Sequence, residues 1–226
     1  AAWSDGHVLA PIQENDVFSS IEQAAASPPV SVWLSSVAEK GLAQDFADRL
    51  RHVCDCPLHK VSVEAYQQHL NTRYQVGQLG VDRWLAALAC WEKTKSACLV
   101  VDAGTAITLD LVDSEGVHQG GYILPGLSLA TRALLEGTAI EVKPAALKQH
   151  LAGKMATNTG QAISEGIRQS VVALIEKLAG RTSEQPCVFI GGGDADALLA
   201  FLEVPHVKVD NLVLSGLLAL ARLEER

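Results

Sequence analysis

No stretch of this chain approaches the roughly 18 consecutive apolar residues that a bilayer-spanning helix needs. No basic, apolar and small-residue leader opens it. Both gaps speak against a membrane-spanning or secreted protein, and a cytoplasmic location is expected. Basic stripes are missing too. The net charge is −8, whereas a protein that grips a phosphate backbone clusters Lys and Arg, so no nucleic-acid partner is expected. Charged residues are scarce at 19% while hydrophobic ones reach 48%, which excludes a disordered chain and suffices for a sizeable core. The five cysteines (Cys54, Cys56, Cys90, Cys98 and Cys187) are odd in number. Three of them, Cys90, Cys98 and Cys187, lie among apolar neighbours where a thiol behaves as a small hydrophobe. A disulfide framework is therefore disfavoured and a reducing compartment favoured. His52, Cys54, Cys56 and His59 fall close together. However, Cys-x-Cys lacks the usual gap of a zinc site, and no second cysteine pair follows. A turn around Pro57 between a helix and a strand is preferred over metal ligation there.

What is present is concentrated between Cys98 and Gly126. Cys98 to Val101 is an apolar run that reads as a buried strand, and it ends at Asp102. Gly104 then gives a bend without side-chain bulk, and Thr105 sets a hydroxyl beside the carboxylate. The chain resumes as a strand in ITLDLVD, turns at Asp113-Ser114-Glu115-Gly116, and returns through VHQGGYIL. The result is a three-strand meander with Asp-x-Gly-Thr at its first bend. A carboxylate, a small residue and a hydroxyl suit a cation and phosphate oxygens. From these residues alone, a hairpin that merely tolerates Asp and Gly is an equal alternative.

Helix and strand signals alternate elsewhere. Strands are expected at 30–37, 60–63, 187–190 and 205–209. Helices are expected at 39–53, 81–94, 127–136, 160–179, 195–203 and 211–224, with 137–157 irregular. Helix 81–94 is apolar around much of its circumference and so largely buried. Helix 160–179 carries a stripe of Ile163, Ile167, Val171, Leu174 and Leu178, and Gly180 stops it. Gly191-Gly192-Gly193 follows a strand and precedes a helix, where bare backbone can lie against an adenine or ribose. A generic tight turn competes with that reading, and the spacing is not a dinucleotide-binding G-x-G-x-x-G. Alternation argues for an α/β protein, and the antiparallel meander argues against a purely parallel sheet.

The motifs SSV (35–37), GVDRW (80–84), DAGTAIT (102–108), GGYILPGL (120–127), Thr159-x-x-Ala162-x-x-x-Gly166, IGGGD (190–194) and NLVLSGL (211–217) occur in that order. Together they resemble the type III pantothenate kinases, over nearly the whole chain. That family also includes Bvg accessory factor-like proteins. The resemblance implies an actin-like (ribonuclease H-like) fold of duplicated domains with mixed sheets, divided here into 1–95 and 96–226. It also implies that the first strand and bend of the first half, with the family's Asp-x-Gly-Asn-Thr phosphate motif, are missing before Trp3.

The implied activity is ATP-dependent phosphorylation of pantothenate, the first step of coenzyme A biosynthesis. Asp82 matches the family's proton acceptor, a role that suits a carboxylate beside an alcohol. Arg83 would hold the pantothenate carboxylate with its planar fork. Gly80, Val81, Thr159 and Tyr74 would line the substrate, Thr159 from across a dimer interface. Thr105, Gly104 and Gly192 would contact ATP, and Asp102 would bind a monovalent cation, potassium or ammonium, with Mg²⁺ accompanying the nucleotide. A homodimer with shared sites is implied, with helices 81–94 and 160–179 as candidate contacts. Without the resemblance, Asp82 reads as a helix cap, Arg83 as half of a surface ion pair and Thr159 as an N-cap. The competing functions are a non-catalytic regulatory protein of the same fold and another actin-like small-molecule kinase.

Overall fold

The computed structural model describes residues 30–37, 47, 48, 51, 56–143, 147, 155–181 and 185–225, together with the backbone of 3–4 and 7–8. Expected helix 39–53 falls largely outside these residues, as do His52 and Cys54 of the His/Cys cluster. The chain divides into two compact units, residues 1–93 with 211–226 and residues 94–210.

In the first unit, β1 (Trp3–Ser4) and β2 (His7–Val8) form an antiparallel pair. β3 (Val32–Leu34) and β4 (Leu58–Lys60) pair in parallel, with Val32 opposite Leu58. The strand expected at 60–63 therefore lies earlier. Residues 61 and 62 leave it, and Ser62 caps the short helix α1 (Val63–Tyr66) by accepting from the Ala65 amide at 3.3 Å. Next come β5 (Asn71–Thr72) and α2 (Val81–Thr94).

Helix α2 has the bounds its periodicity predicts. Trp84, Leu85 and Leu88 are fully buried, and the Trp84 indole donates to the Leu70 carbonyl at 2.9 Å. That bond satisfies the one polar group this side chain carries into the core.

The second unit begins with β6 (Cys98–Ala103), β7 (Ala106–Val112) and β8 (Val117–Pro125), the meander that the sequence predicts. Helices α3 (Leu127–Glu136) and α4 (Thr159–Ala179) follow, then β9 (Cys187–Gly191), α5 (Ala195–Leu199) and β10 (His206–Lys208). The last helix, α6 (Leu212–Glu224), groups with the first unit.

Within the second unit the strands lie in the order β10-β9-β6-β7-β8. β10, β9 and β6 are parallel, and the meander is antiparallel. Its core joins Leu99, Val101, Ile107 and Leu109 of the sheet to Val171, Val172 and Ile175 of α4 and Leu198 of α5. On α4 the buried line runs through Ile163, Val171, Val172, Ile175 and Leu178, while Ile167 and Leu174 of the expected stripe are only half-buried. Most apolar residues of α2 and α4 are buried within the chain itself, while Val81, Trp91, Ile167 and Leu174 are half-buried.

Candidate active site

The motif residues fall into two groups, one in each unit. In the first unit they gather at the start of α2. The Gly80 carbonyl accepts the helix's first hydrogen bond, from the Trp84 amide at 3.1 Å. Position 80 therefore occupies the capping place, and Asp82 lies inside the first turn. Asp82 is therefore not the N-cap residue of this helix.

The Asp82 carboxylate folds back over Gly80, where a Cβ would lie 2.5 Å from Oδ1. Asp82 and Val81 are half-buried, so the carboxylate is neither sealed in a dry interior nor fully solvated. Arg83 is only 6% exposed, which rules out the surface ion pair. Its Nη1 donates to the Tyr74 hydroxyl at 3.0 Å, and its guanidinium carbon lies 5.1 Å from that ring's centroid. A cation–π contact and a hydrogen bond to the same tyrosine hold the guanidinium from two sides. Tyr74 is thereby in direct contact with the motif arginine.

In the second unit, Asp102 stands near the end of β6. It lies opposite Thr108 of β7 on one side and Gly191 of β9 on the other. The strand ends one residue later, and the chain bends through Gly104 and Thr105, with Thr105 exposed at the bend. The bend is closed by the Gly104 amide donating to the Ala106 carbonyl at 3.0 Å.

Gly192 sits beside it with φ of +92°. A Cβ there would meet the backbone of Ala103 at 2.3–2.7 Å. Glycine at 192 is thus required twice over, by conformation and by space. Gly104 itself is uncrowded, its nearest neighbour being the Ala106 carbonyl oxygen at 3.8 Å from a built Cβ. Nothing within the fold demands glycine there.

Thr159 opens α4 and is exposed, but it is not the cap. Asn158 takes that place, accepting from the Gln161 amide at 3.0 Å. The Thr159 side chain is left out of the capping interaction.

Asp102 supplies one carboxylate. Among the described residues no group of three or more His, Cys, Asp or Glu side chains is arranged to hold a metal ion. A single carboxylate at a strand end is the donor set of a hard cation that takes its remaining ligands from carbonyl, phosphate and water oxygens. It does not suit an ion caged wholly by side chains. That donor set fits a cation that keeps most of its other ligands.

The chain resembles solved actin-like structures. A protein described as a Baf family transcriptional activator from Campylobacter jejuni superimposes with a TM-score of 0.63, covering 91% of this chain and 88% of that one at 19% identity. The activator of the 2-hydroxyisocaproyl-CoA dehydratase from Clostridium difficile, solved with bound ADPNP, gives 0.50, covering 94% and 82% at 12% identity. At such identities the likeness defines the fold alone, and the fold is that of the actin-like ATPases.

Sequence narrows this further. The family model for type III pantothenate kinase matches residues 10–181. The curated type III pantothenate kinase of Chromobacterium violaceum is 36% identical over 203 residues, spanning 86% of this chain and 81% of the relative. That of Nitrosomonas eutropha is 34% identical over 217 residues, spanning 87% and 77%. The chain belongs to the type III pantothenate kinase family.

Proposed function

We propose that this chain transfers the γ-phosphoryl group of ATP to the 4′-hydroxyl of pantothenate, giving 4′-phosphopantothenate and ADP at the start of coenzyme A synthesis. The observation that carries this reading is family membership joined to the arrangement around Gly80, where a half-buried carboxylate and a buried arginine bonded to Tyr74 open the same helix.

Asp82 orients the alcohol and accepts its proton as the new P–O bond forms and the bond to ADP breaks. Arg83, held by Tyr74, receives the pantothenate carboxylate, for which a planar fork is the best-matched donor. Gly80 and Val81 line the substrate, and Gly80 leaves the space that the Asp82 carboxylate occupies. Thr105, Gly104 and Gly192 contact ATP.

Asp102 is the residue that would hold potassium or ammonium, and Mg²⁺ would come with the nucleotide. Such ions neutralise charge developing on the phosphates. Thr159, exposed and uninvolved in capping, serves the substrate site of a second copy in a homodimer. Exposed Tyr122 and Ile123 on β8 and Leu134 on α3 supply apolar surface for that contact. The enzyme acts in the cytoplasm, with no nucleic-acid or membrane partner. Among the described residues no helix is long and apolar enough to cross a bilayer.

A coupled assay of ADP release by the full-length protein with ATP and pantothenate, with and without potassium, tests the reading. Release that requires pantothenate and rises with potassium is expected. Failure to release ADP in response to pantothenate overturns it.

A further inference from the structure

Gly126 joins β8 to α3 in a conformation, φ −61° and ψ 162°, that any residue adopts. It also holds the N-cap position, where Ser, Thr, Asp or Asn would bond the helix's open amides. Glycine makes no such side-chain bond here. Backbone freedom and helix stability therefore both fail to explain it.

Space does explain it. A Cβ at 126 would lie 2.1 Å from the Gly104 carbonyl oxygen, 2.6 Å from that of Thr105 and 2.9 Å from the Thr105 carbonyl carbon. The Gly126 amide donates to the Thr105 oxygen at 2.9 Å. On the neighbouring peptide, Gly192 crowds the Ala103 backbone in the same manner, and the Asp194 amide donates to the Ala103 carbonyl at 2.8 Å. Peptides 103 to 105 are thus confined by two glycines that belong to other elements.

We propose that Gly126 is a positioning residue for phosphoryl transfer: its missing side chain lets the start of α3 seat against the Gly104 and Thr105 carbonyls and so fixes the bend that presents the Thr105 hydroxyl to ATP. The proposal rests on the kinase reading above, with Thr105 as a nucleotide contact. The physical reason is electrostatic as well as steric. A carbonyl oxygen turned toward a triphosphate repels it. The Thr105 oxygen is occupied by the Gly126 amide and the Gly104 oxygen lies against Gly126, so the Thr105 hydroxyl is the donor the bend offers a phosphate.

The test compares the wild-type chain with Gly126→Ala and Gly137→Ala in steady-state kinetics, varying ATP and pantothenate separately. Gly137→Ala crowds the other end of the same helix, where a Cβ meets the Ala133 carbonyl at 3.0 Å. It touches nothing at the bend.

Gly126→Ala is expected to raise the ATP KM at least tenfold and to leave the pantothenate KM within twofold. Gly137→Ala is expected to lower stability while both KM values stay within twofold. A folded Gly126→Ala enzyme with an unchanged ATP KM overturns the inference and leaves the kinase reading standing. So does an equal rise in both KM values, or the same ATP effect in Gly137→Ala. A wild-type chain that shows no ATP-dependent phosphorylation of pantothenate removes the kinase reading and the inference with it.

Should Gly126→Ala fail to fold, hydrogen exchange on the wild type decides. Addition of a non-hydrolysable ATP analogue must protect peptides 103–108 and 125–130 together. Protection of the first without the second overturns the proposal.

Discussion

The Arg83 guanidinium donates to the Tyr74 hydroxyl at 3.0 Å while lying 5.1 Å from that ring's centroid. Two interactions of different character thus hold one buried cation. They are separable by mutation. Tyr74→Phe keeps the ring and deletes the hydroxyl, removing a bond of about 1 kcal/mol. A roughly fivefold rise in pantothenate KM is expected, with the ATP KM unchanged. Arg83→Lys removes the planar fork, and its effect on the pantothenate KM is expected to be larger. A Tyr74→Phe enzyme whose pantothenate KM equals the wild type's would show that the tyrosine does not orient the anchor.

Asp82→Asn keeps the size and hydrogen-bonding capacity of the side chain but cannot accept the proton. Loss of a positioned base lowers kcat by about 10²–10⁴-fold. The unfolding midpoint in denaturant is expected to stay near that of the wild type, because the side chain is half-buried and does not cap the helix. Turnover near the wild-type rate in this variant would remove Asp82 from the base role.

Local signals made α2 and the meander legible. An apolar face that repeats at 3.6 residues, or alternates around a Gly-containing turn, survives in the sequence without knowledge of its partners. β4 was less so. Its place at Leu58–Lys60 depends on parallel registry with β3, where Val32 lies opposite Leu58, and a parallel partner leaves no local mark. Asn158 rather than Thr159 caps α4. Asparagine is the stronger capping residue of the two, so residue type alone favours position 158. The seat of Gly126 is hidden for a different reason. The atoms that forbid a side chain there belong to a bend more than 20 residues earlier, so the sequence shows only a Pro-Gly helix start.

Gly216 of α6 offers a test of packing within the first unit. A Cβ there would lie 2.2 Å from the Leu85 carbonyl oxygen and 2.6 Å from its carbon on α2, so the two helices approach backbone to backbone. Gly216→Ala is expected to cost about 1–3 kcal/mol. Gly166 of α4 is exposed with nothing within 4 Å of a built Cβ. The same substitution there is expected to stabilise by about 0.5–1 kcal/mol, since alanine loses less freedom in a helix. Denaturant midpoints moving in opposite directions would bear this out. Two shifts of the same sign would show that the close approach at Leu85 does not govern stability.

Alkaline stability is expected to depend in part on Cys98. Burial, and secondarily the neighbouring Cys187, pushes its thiol up from an ordinary 9.0 to about 12. Cys98 lies on β6 directly opposite Cys187 of β9, in an interior where a thiolate has no solvation. The folded chain therefore keeps its proton at pH values where the unfolded chain has lost it. A raised folded pKa gives a contribution fully present below pH 9 that is lost as pH climbs toward 12, at about 1.4 kcal/mol per unit within that window. Cys98→Val removes the titrating group at similar volume. The stability difference between wild type and variant, read from denaturant unfolding at pH 8, 9.5 and 11, is expected to be flat at the low end. It should then turn against the wild type as pH rises. Parallel pH profiles for the two proteins would assign the alkaline loss to other groups, such as Tyr66, whose phenol is also raised, first by burial and then by Glu224.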